Sequence, residues 1–312
     1  MFWDTKSLIE KDSLNEEIWN DSPKVQRCIN KLYTNNASSM KYGAQQAMID
    51  GTECCLPWVP DIIGKNYKSS DSIIIIGSAY AGFIDGYSPR NRTMTLERYR
   101  DADNPYVFLN YFLEDVVIGD QSYYSPIQTL VSSLCDLKKI VLFDLCRASF
   151  ICRDDRMPPN RKDKSNDRVT RDAKAIYAQY VESQIVEDWT WRRIIDCGAM
   201  CIVALGTIAE HGLLRLFHRK SLSIRDYRNS ERLALRDYNN GEWVAHYAGG
   251  VNKKLDYWIR NSGNWWQIEG TVNGQDRKWY LLPVYHPVRY SIYDPAYEIT
   301  IEVLKAIKDN LK

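Results

Sequence analysis

Four short apolar runs punctuate the chain: Ile73–Gly77, Ile140–Asp144, Cys201–Gly206 and Leu281–Tyr285. Continuous apolar stretches of this length, without polar alternation, predict strands buried on both faces, as in a parallel sheet. Between them the hydrophobic period becomes helical. In "SPIQTLVSSLCDLKK", Ser125 reads as the N-cap, Pro126 as the first helical residue and Gln128 as the capping-box partner, with Ile127, Leu130, Val131, Leu134 and Leu137 on one stripe. A second helix is predicted from about residue 171 to 186 through Ile176, Tyr177, Tyr180 and Val181. A third follows Gly206 through Ile208, Ala209, Leu213 and Leu216. The alternation predicts an α/β protein, a three-layer α/β/α sandwich around a central four-stranded, mainly parallel sheet. Pro283 removes one ladder donor from the last run, which places that strand at the sheet edge.

Two regions stand outside the alternation. Residues 1–70 read as a helical N-terminal extension, with "CCLPWVP" as a proline-broken turn ahead of the first strand. Residues 221–277 read as a tryptophan-rich insertion that divides the core into 71–220 and 278–312. Within "WWQIEGTVNGQDRKWYLL" the Asn273-Gly274 pair predicts a hairpin turn. Trp243, Trp258, Trp265, Trp266 and Trp279 are expected to form a small core of their own rather than a base-stacking platform.

Composition narrows the class. With 312 residues, 45% of them hydrophobic, the chain can bury a sizeable core, and no apolar run approaches the roughly 20 residues of a membrane helix. "MFWDTKSLIEKD" carries early charges and no signal-type block, so a cytoplasmic protein without membrane contact is expected; separately, a monomer is expected, with no feature of the sequence fixing the oligomeric state. Eight cysteines without a C-x-x-C pair argue against a zinc ribbon and a disulfide scaffold; a cluster assembled from distant cysteines stays open. A net charge of +1 means that a nucleic-acid partner would be met by a local basic surface. The stretch 152–171 offers one, with Arg153, Arg156, Arg161, Lys162, Lys164, Arg168 and Arg171, although interleaved aspartates equally suit a solvated charged loop.

Ligands of open α/β sheets bind beyond the carboxyl ends of the strands. Those ends are "GSAYAGFIDGYSPRNR", "FDLCRAS", "LGTIAEHG" and "VYHPVRY". In this order they resemble the motifs of the uracil-DNA glycosylase superfamily, over roughly residues 70–220 and 278–292. The resemblance implies that fold, a first-strand loop Gly77-Ser78-Ala79-Tyr80-Ala81 against the base, a base-reading residue at Asp144, and a late loop His286-Pro287-Val288-Arg289 in the minor groove. It implies DNA as partner and no metal or organic cofactor.

The details depart from the uracil enzymes. Ser78 and Ala79 stand where those enzymes usually carry a water-positioning Asp, Asn or Glu. A branch that includes hypoxanthine-type glycosylases places an asparagine further on, and Tyr87-Ser88-Pro89-Arg90-Asn91 is similar to its pattern. By that resemblance Tyr87 stacks on an extruded base and Asn91 holds the water that attacks C1′. Asp85 is the rival, since a carboxylate can act as general base or stabilise an oxocarbenium-like sugar. Read alone, Asp85 and Asn91 are also ordinary turn residues.

Asp144 is the most informative departure. An asparagine there would both donate and accept, whereas an ionised aspartate only accepts, which suits the exocyclic amine of cytosine. Ala81, small where the strictest uracil enzymes carry a tyrosine, leaves room for a C5 substituent. The alternative is that Asp144 caps a strand and Tyr80 or Tyr106 fills the pocket. His286 would contact the base or leaving group. Arg90, Arg92, Arg147, Arg153, Arg161, Lys162, Arg289 and Tyr290 would grip DNA, Arg289 and Tyr290 from the wedge position. The expected activity is hydrolysis of the N-glycosidic bond of a flipped, modified pyrimidine. Rival readings are a repair enzyme for uracil or hypoxanthine and a catalytically silent nucleic-acid-binding module.

Overall fold

The computed structural model describes residues 5–9, 11–21, 55–56, 61–79, 103–113, 132, 135–146, 149–150, 184–227 and 265–284. Nine strands lie among them: β1 (Cys55–Leu56), β2 (Ile62–Ile63), β3 (Ile73–Ala79), β4 (Ile140–Cys146), β5 (Ser149–Phe150), β6 (Cys201–Leu205), β7 (Ser223–Tyr227), β8 (Trp265–Val272) and β9 (Gln275–Val284). The described helices are α1 (Ser13–Asn20), α2 (Pro105–Phe112), α3 (Gln184–Asp196) and α4 (Thr207–Arg219). Thus the fold is α/β, built on a mixed seven-stranded sheet in the order β2-β4-β3-β6-β9-β8-β7, with β1 and β5 forming a separate antiparallel pair.

The expected sheet of four strands is therefore too small. The four apolar runs do lie side by side as β4, β3, β6 and β9, paired in parallel. Three further strands widen the sheet: β2 runs antiparallel to β4 at one edge, and β8 and β7 continue antiparallel beyond β9. Both faces of the central strands are apolar, because Ile73, Ile74, Ile75 and Ile76 are all buried whichever way they point. One face packs on helices: Ile74, Ile76, Val141, Phe143, Ile202 and Leu281 join Leu14 and Ile18 of α1, Trp189 and Ile194 of α3, and Leu213 and Phe217 of α4. By alternation, Ile73, Ile75, Leu142, Val203 and Leu282 occupy the opposite face, together with Gly77 and Asp144.

The helix after Gly206 forms as its period predicts. Ala209, Leu213, Leu216 and Phe217 of α4 are buried while His211, Arg215 and His218 are exposed, and His218 and Arg219 fall in the last turn, where the helix dipole favours cations. The hairpin also forms: Val272 pairs with Gln275 across Asn273 (φ 52°) and Gly274 (φ 76°), the two positive φ values that a two-residue primed turn needs.

Several expectations need correction. Pro283 does not mark an edge: β9 lies between β6 and β8. Tyr280 N donates to Met200 O (2.7 Å) and Val284 O accepts from Gly206 N (2.7 Å), so even-numbered residues of β9 bond β6 and the odd ones face β8. Among the described residues the ladder with β8 runs as far as Trp266–Leu281, so the position of Pro283 lies beyond its last described rung. The helix read over 125–139 does not continue to Lys139. Among its described residues, Ser132 is helical, but Asp136 then caps a separate 3-10 turn, Leu137–Lys139, by accepting from Lys138 N (3.0 Å). The helix read over 171–186 lies outside the described residues up to 183, and its described residues, 184–186, are helical as part of α3. Nor does every tryptophan of the hairpin region belong to a core of its own: Trp279 is fully buried in the main core, 6.3 Å from a stacked Phe217 and 6.0 Å from Trp191.

Candidate functional site

The parallel strands bring two sequence oddities together. The isoleucine run ends in Gly77, and the apolar run "IVLFDLC" is broken by Asp144; the β3–β4 register makes these two residues direct partners. Asp144 is only 7% exposed, a buried carboxylate on a face that Ile73, Ile75, Leu142, Val203 and Leu282 make largely apolar. Its carboxylate lies across β3, over the α-carbon of Gly77. A β-carbon at Gly77 would fall 2.9 Å from Asp144 Cγ and closer still to Oδ1, tighter than real packing allows. A glycine inside a strand ordinarily costs about 0.5–1 kcal/mol, and here the space it leaves is filled by the neighbouring carboxylate.

The position in the sheet is the one from which α/β proteins bind ligands. β3 sits between β4 and β6, so the chain moves to one side of β3 and then returns on the other, and the crevice at such a reversal opens at the carboxyl ends of the strands. At that end Gly206, the N-cap of α4, donates to Val284 O and ties the entry of α4 to the end of β9. Both β3 and β4 run two residues further than their apolar runs suggest. Ser78 and Ala79, expected in a loop, are strand residues, and Ala79 pairs with Cys146.

Of the remaining expected site residues, Tyr80, Ala81, Asp85, Tyr87, Arg90, Asn91, Arg92, Arg147, Arg153, Arg161, Lys162, His286, Arg289 and Tyr290 lie outside the described residues. Tyr106, weighed as an alternative filler of the base pocket, is in α2, whose N-cap Asn104 accepts from Tyr106 N and Val107 N at 3.0 Å. Its hydroxyl donates to Asp12 O (3.2 Å) and accepts from Asp12 N, and burial raises its pKa. Its polar end is thus engaged at the start of α1.

A second group of buried charges was not anticipated. Arg193 of α3 is fully buried and donates to Asp61 Oδ2 through Nε (2.8 Å) and to both oxygens of Asp12 through Nη1 (3.1 Å) and Nη2 (2.7 Å). Burial opposes its charge, but Asp61 and Asp12 together hold its pKa above the ordinary arginine value. Asn15 completes the assembly, with Nδ2 donating to Asp61 O (3.0 Å) and Oδ1 accepting from Asp61 N (2.9 Å). The assembly ties α1, the entry to β2 and α3 together on the helix-covered face. Its sequence signal is faint: an arginine at a position of α3 that the packing turns inward.

Beside it runs an open groove of about 760 Å³ that includes Asp12, Tyr67, Lys68, Trp191 and Asp196. Two of its polar groups meet at Asp196: Lys68 Nζ lies 3.1 Å from it, and Tyr67 donates its hydroxyl to it at 2.5 Å. Burial first, then Asp196, raises the Tyr67 pKa. For Asp196, burial acts to raise the pKa, but the bonds from Tyr67 and Lys68 outweigh it and the net shift is downward. Buried Cys197 has its thiol pKa pushed up to about 11 by desolvation, which makes it a packing residue rather than a nucleophile. Among the described residues no group of three His, Cys, Asp or Glu side chains is placed to hold a metal ion, and no helix is long and apolar enough to cross a membrane.

No protein-family model matches the chain, and no curated protein is detectably similar to it.

Proposed function

We propose that the chain is a DNA glycosylase with a uracil-DNA-glycosylase-like three-layer core, acting on an extruded 5-substituted cytosine and leaving an abasic site. The observation that carries this reading is the carboxylate of Asp144 beside Gly77, near the carboxyl end of the parallel strands, at the position that the motif resemblance gives to base reading. As a carboxylate it offers only acceptors, and the exocyclic amine of cytosine is the donor it fits.

In the proposed reaction the base leaves the stack and lies against Tyr87. Asn91, with Asp85 as the rival group, holds a water that adds to C1′ while the N-glycosidic bond breaks. The departing base takes the bonding electrons, with His286 near the charge that develops. Arg90, Arg92, Arg147, Arg153, Arg161, Lys162, Arg289 and Tyr290 supply the phosphate and wedge contacts. The protein would act as a cytoplasmic monomer without metal or organic cofactor, in defence against phages whose DNA carries modified bases.

The test is incubation of the protein with oligonucleotides that each carry one 5-hydroxymethylcytosine, 5-methylcytosine, uracil or hypoxanthine, with released bases read by mass spectrometry. Release of a 5-substituted cytosine is the expected result. Release of uracil or hypoxanthine alone would overturn the substrate, and DNA binding without release of any base would favour a catalytically silent binding module.

A further inference from the structure

Gly77 interrupts a strand that otherwise favours β-branched residues at every position from Ile73 to Ile76. Its backbone does not demand glycine, since its φ is not among the positive values. What demands it is the neighbour: the volume that a side chain at position 77 would fill is occupied by the Asp144 carboxylate. An aspartate χ1 has three staggered wells, and only an arrangement that crosses β3 uses the space above Gly77. Any larger residue at 77 would turn the carboxylate out of that space.

We propose that Gly77 is a positioning residue for Asp144: by its missing side chain it holds the carboxylate across β3, and thereby sets where a ligand must present its amino donor. This deepens the reading above and rests on it for the identity of the ligand. The division of labour is specific. Asp144 decides the hydrogen-bonding pattern offered to the base, because carboxylate and carboxamide have nearly the same shape but differ in donors. Gly77 decides where that pattern is displayed.

The experiment is a double-mutant cycle of Gly77→Ala and Asp144→Ala in the full chain, read by thermal melting and by kcat/KM on oligonucleotides carrying 5-hydroxymethylcytosine or uracil. Gly77→Ala alone should lower the Tm and reduce the preference for 5-hydroxymethylcytosine over uracil by about 5- to 150-fold, the range for well-placed hydrogen bonds to a base edge. In the Asp144→Ala background the same Gly77→Ala change should cost neither stability nor preference, because the obstructing carboxylate is gone. Equal effects in both backgrounds would overturn the proposal, since a glycine needed for the strand itself is indifferent to residue 144. If Gly77→Ala alone does not fold, folding of the double variant supports the proposal and failure of both overturns it.

The two readings can fail separately. Parent protein that releases no base would overturn the assignment of the ligand together with the glycosylase reading, while the melting cycle still decides whether Gly77 positions Asp144. Base release with an additive cycle would leave the glycosylase reading standing and remove the role of Gly77.

Discussion

Buried carboxylates occupy both faces of the sheet around β4, and the two faces accommodate them differently. On the helix-covered face, Asp61 and Asp12 share the guanidinium of Arg193, with Asn15 bonding the backbone of Asp61. On the other face, Asp144 lies over the bare α-carbon of Gly77. The first arrangement matches charge with charge and joins three chain segments. The second gives a carboxylate room at the end of the sheet where ligands bind. The first set of carboxylates is bound to a buried guanidinium, whereas the described setting of Asp144 is the space above a residue that has no side chain.

The comparison breaks most visibly at Arg193. Arg193→Met should leave Asp12 and Asp61 buried without their cation and cost about 3–5 kcal/mol, read as a lower urea midpoint. Adding Asp12→Asn and Asp61→Asn should recover a large part of that loss, because a buried pair is costly chiefly when one partner is removed. If the triple substitution is no more stable than Arg193→Met, the ion pairs are not the source of the effect.

Asp144→Asn should behave in the opposite way. Its stability cost should be clearly smaller than that of Arg193→Met, while the preference among released bases shifts from cytosine-type toward uracil-type by about 1–3 kcal/mol. A loss of stability comparable to that of Arg193→Met would place Asp144 with the structural charges instead.

The hairpin glycine supplies a control of smaller size. Gly274 has φ +76° and nothing within 4 Å of where a β-carbon would stand, so Gly274→Ala should cost about 1 kcal/mol through backbone conformation alone. Because it meets no neighbour, that cost should be identical with Asp or Ala at position 144. Dependence on residue 144 would show that the two glycines are not distinct cases.

The smallest effect is expected at Asp71. Its pKa is lowered from 3.8 to about 2, first by the hydrogen bond from Lys139 (2.5 Å) and then by Ser69. A folded-state pKa below the unfolded one contributes stability that is present above about pH 4 and lost as pH falls toward 2. The side chain is 47% exposed, so screening limits the contribution to a few tenths of a kcal/mol. Asp71→Asn should flatten the melting profile of the parent slightly between pH 4 and 2; an unchanged slope would show that the pair contributes nothing in solution.

How far these features were legible depended on whether their cause was local. α4 follows from apolar residues at helical spacing after Gly206, and the β8–β9 hairpin from Asn273-Gly274, each set by a few adjacent residues. The four buried strands were legible because an apolar run needs no knowledge of its partner. Gly77 and Asp144 were each visible as candidates, but their contact was not, since it depends on a register between segments 67 residues apart in sequence. Arg193 escaped notice altogether, because its partners Asp61 and Asp12 lie 132 and 181 residues away.

By itself the sequence determined the α/β alternation, the apolar strand runs, the helix after Gly206 and the turn at Asn273-Gly274, because backbone propensity and hydrophobic period act over a few residues. Tertiary structure alone decided that seven described strands share one sheet, that Pro283 lies in an inner strand of it, that Arg193 joins Asp12 and Asp61, and that Asp144 fills the space left by Gly77. The physical reason is common to all four: pairing, register and burial are properties of segments that meet only when the chain has folded.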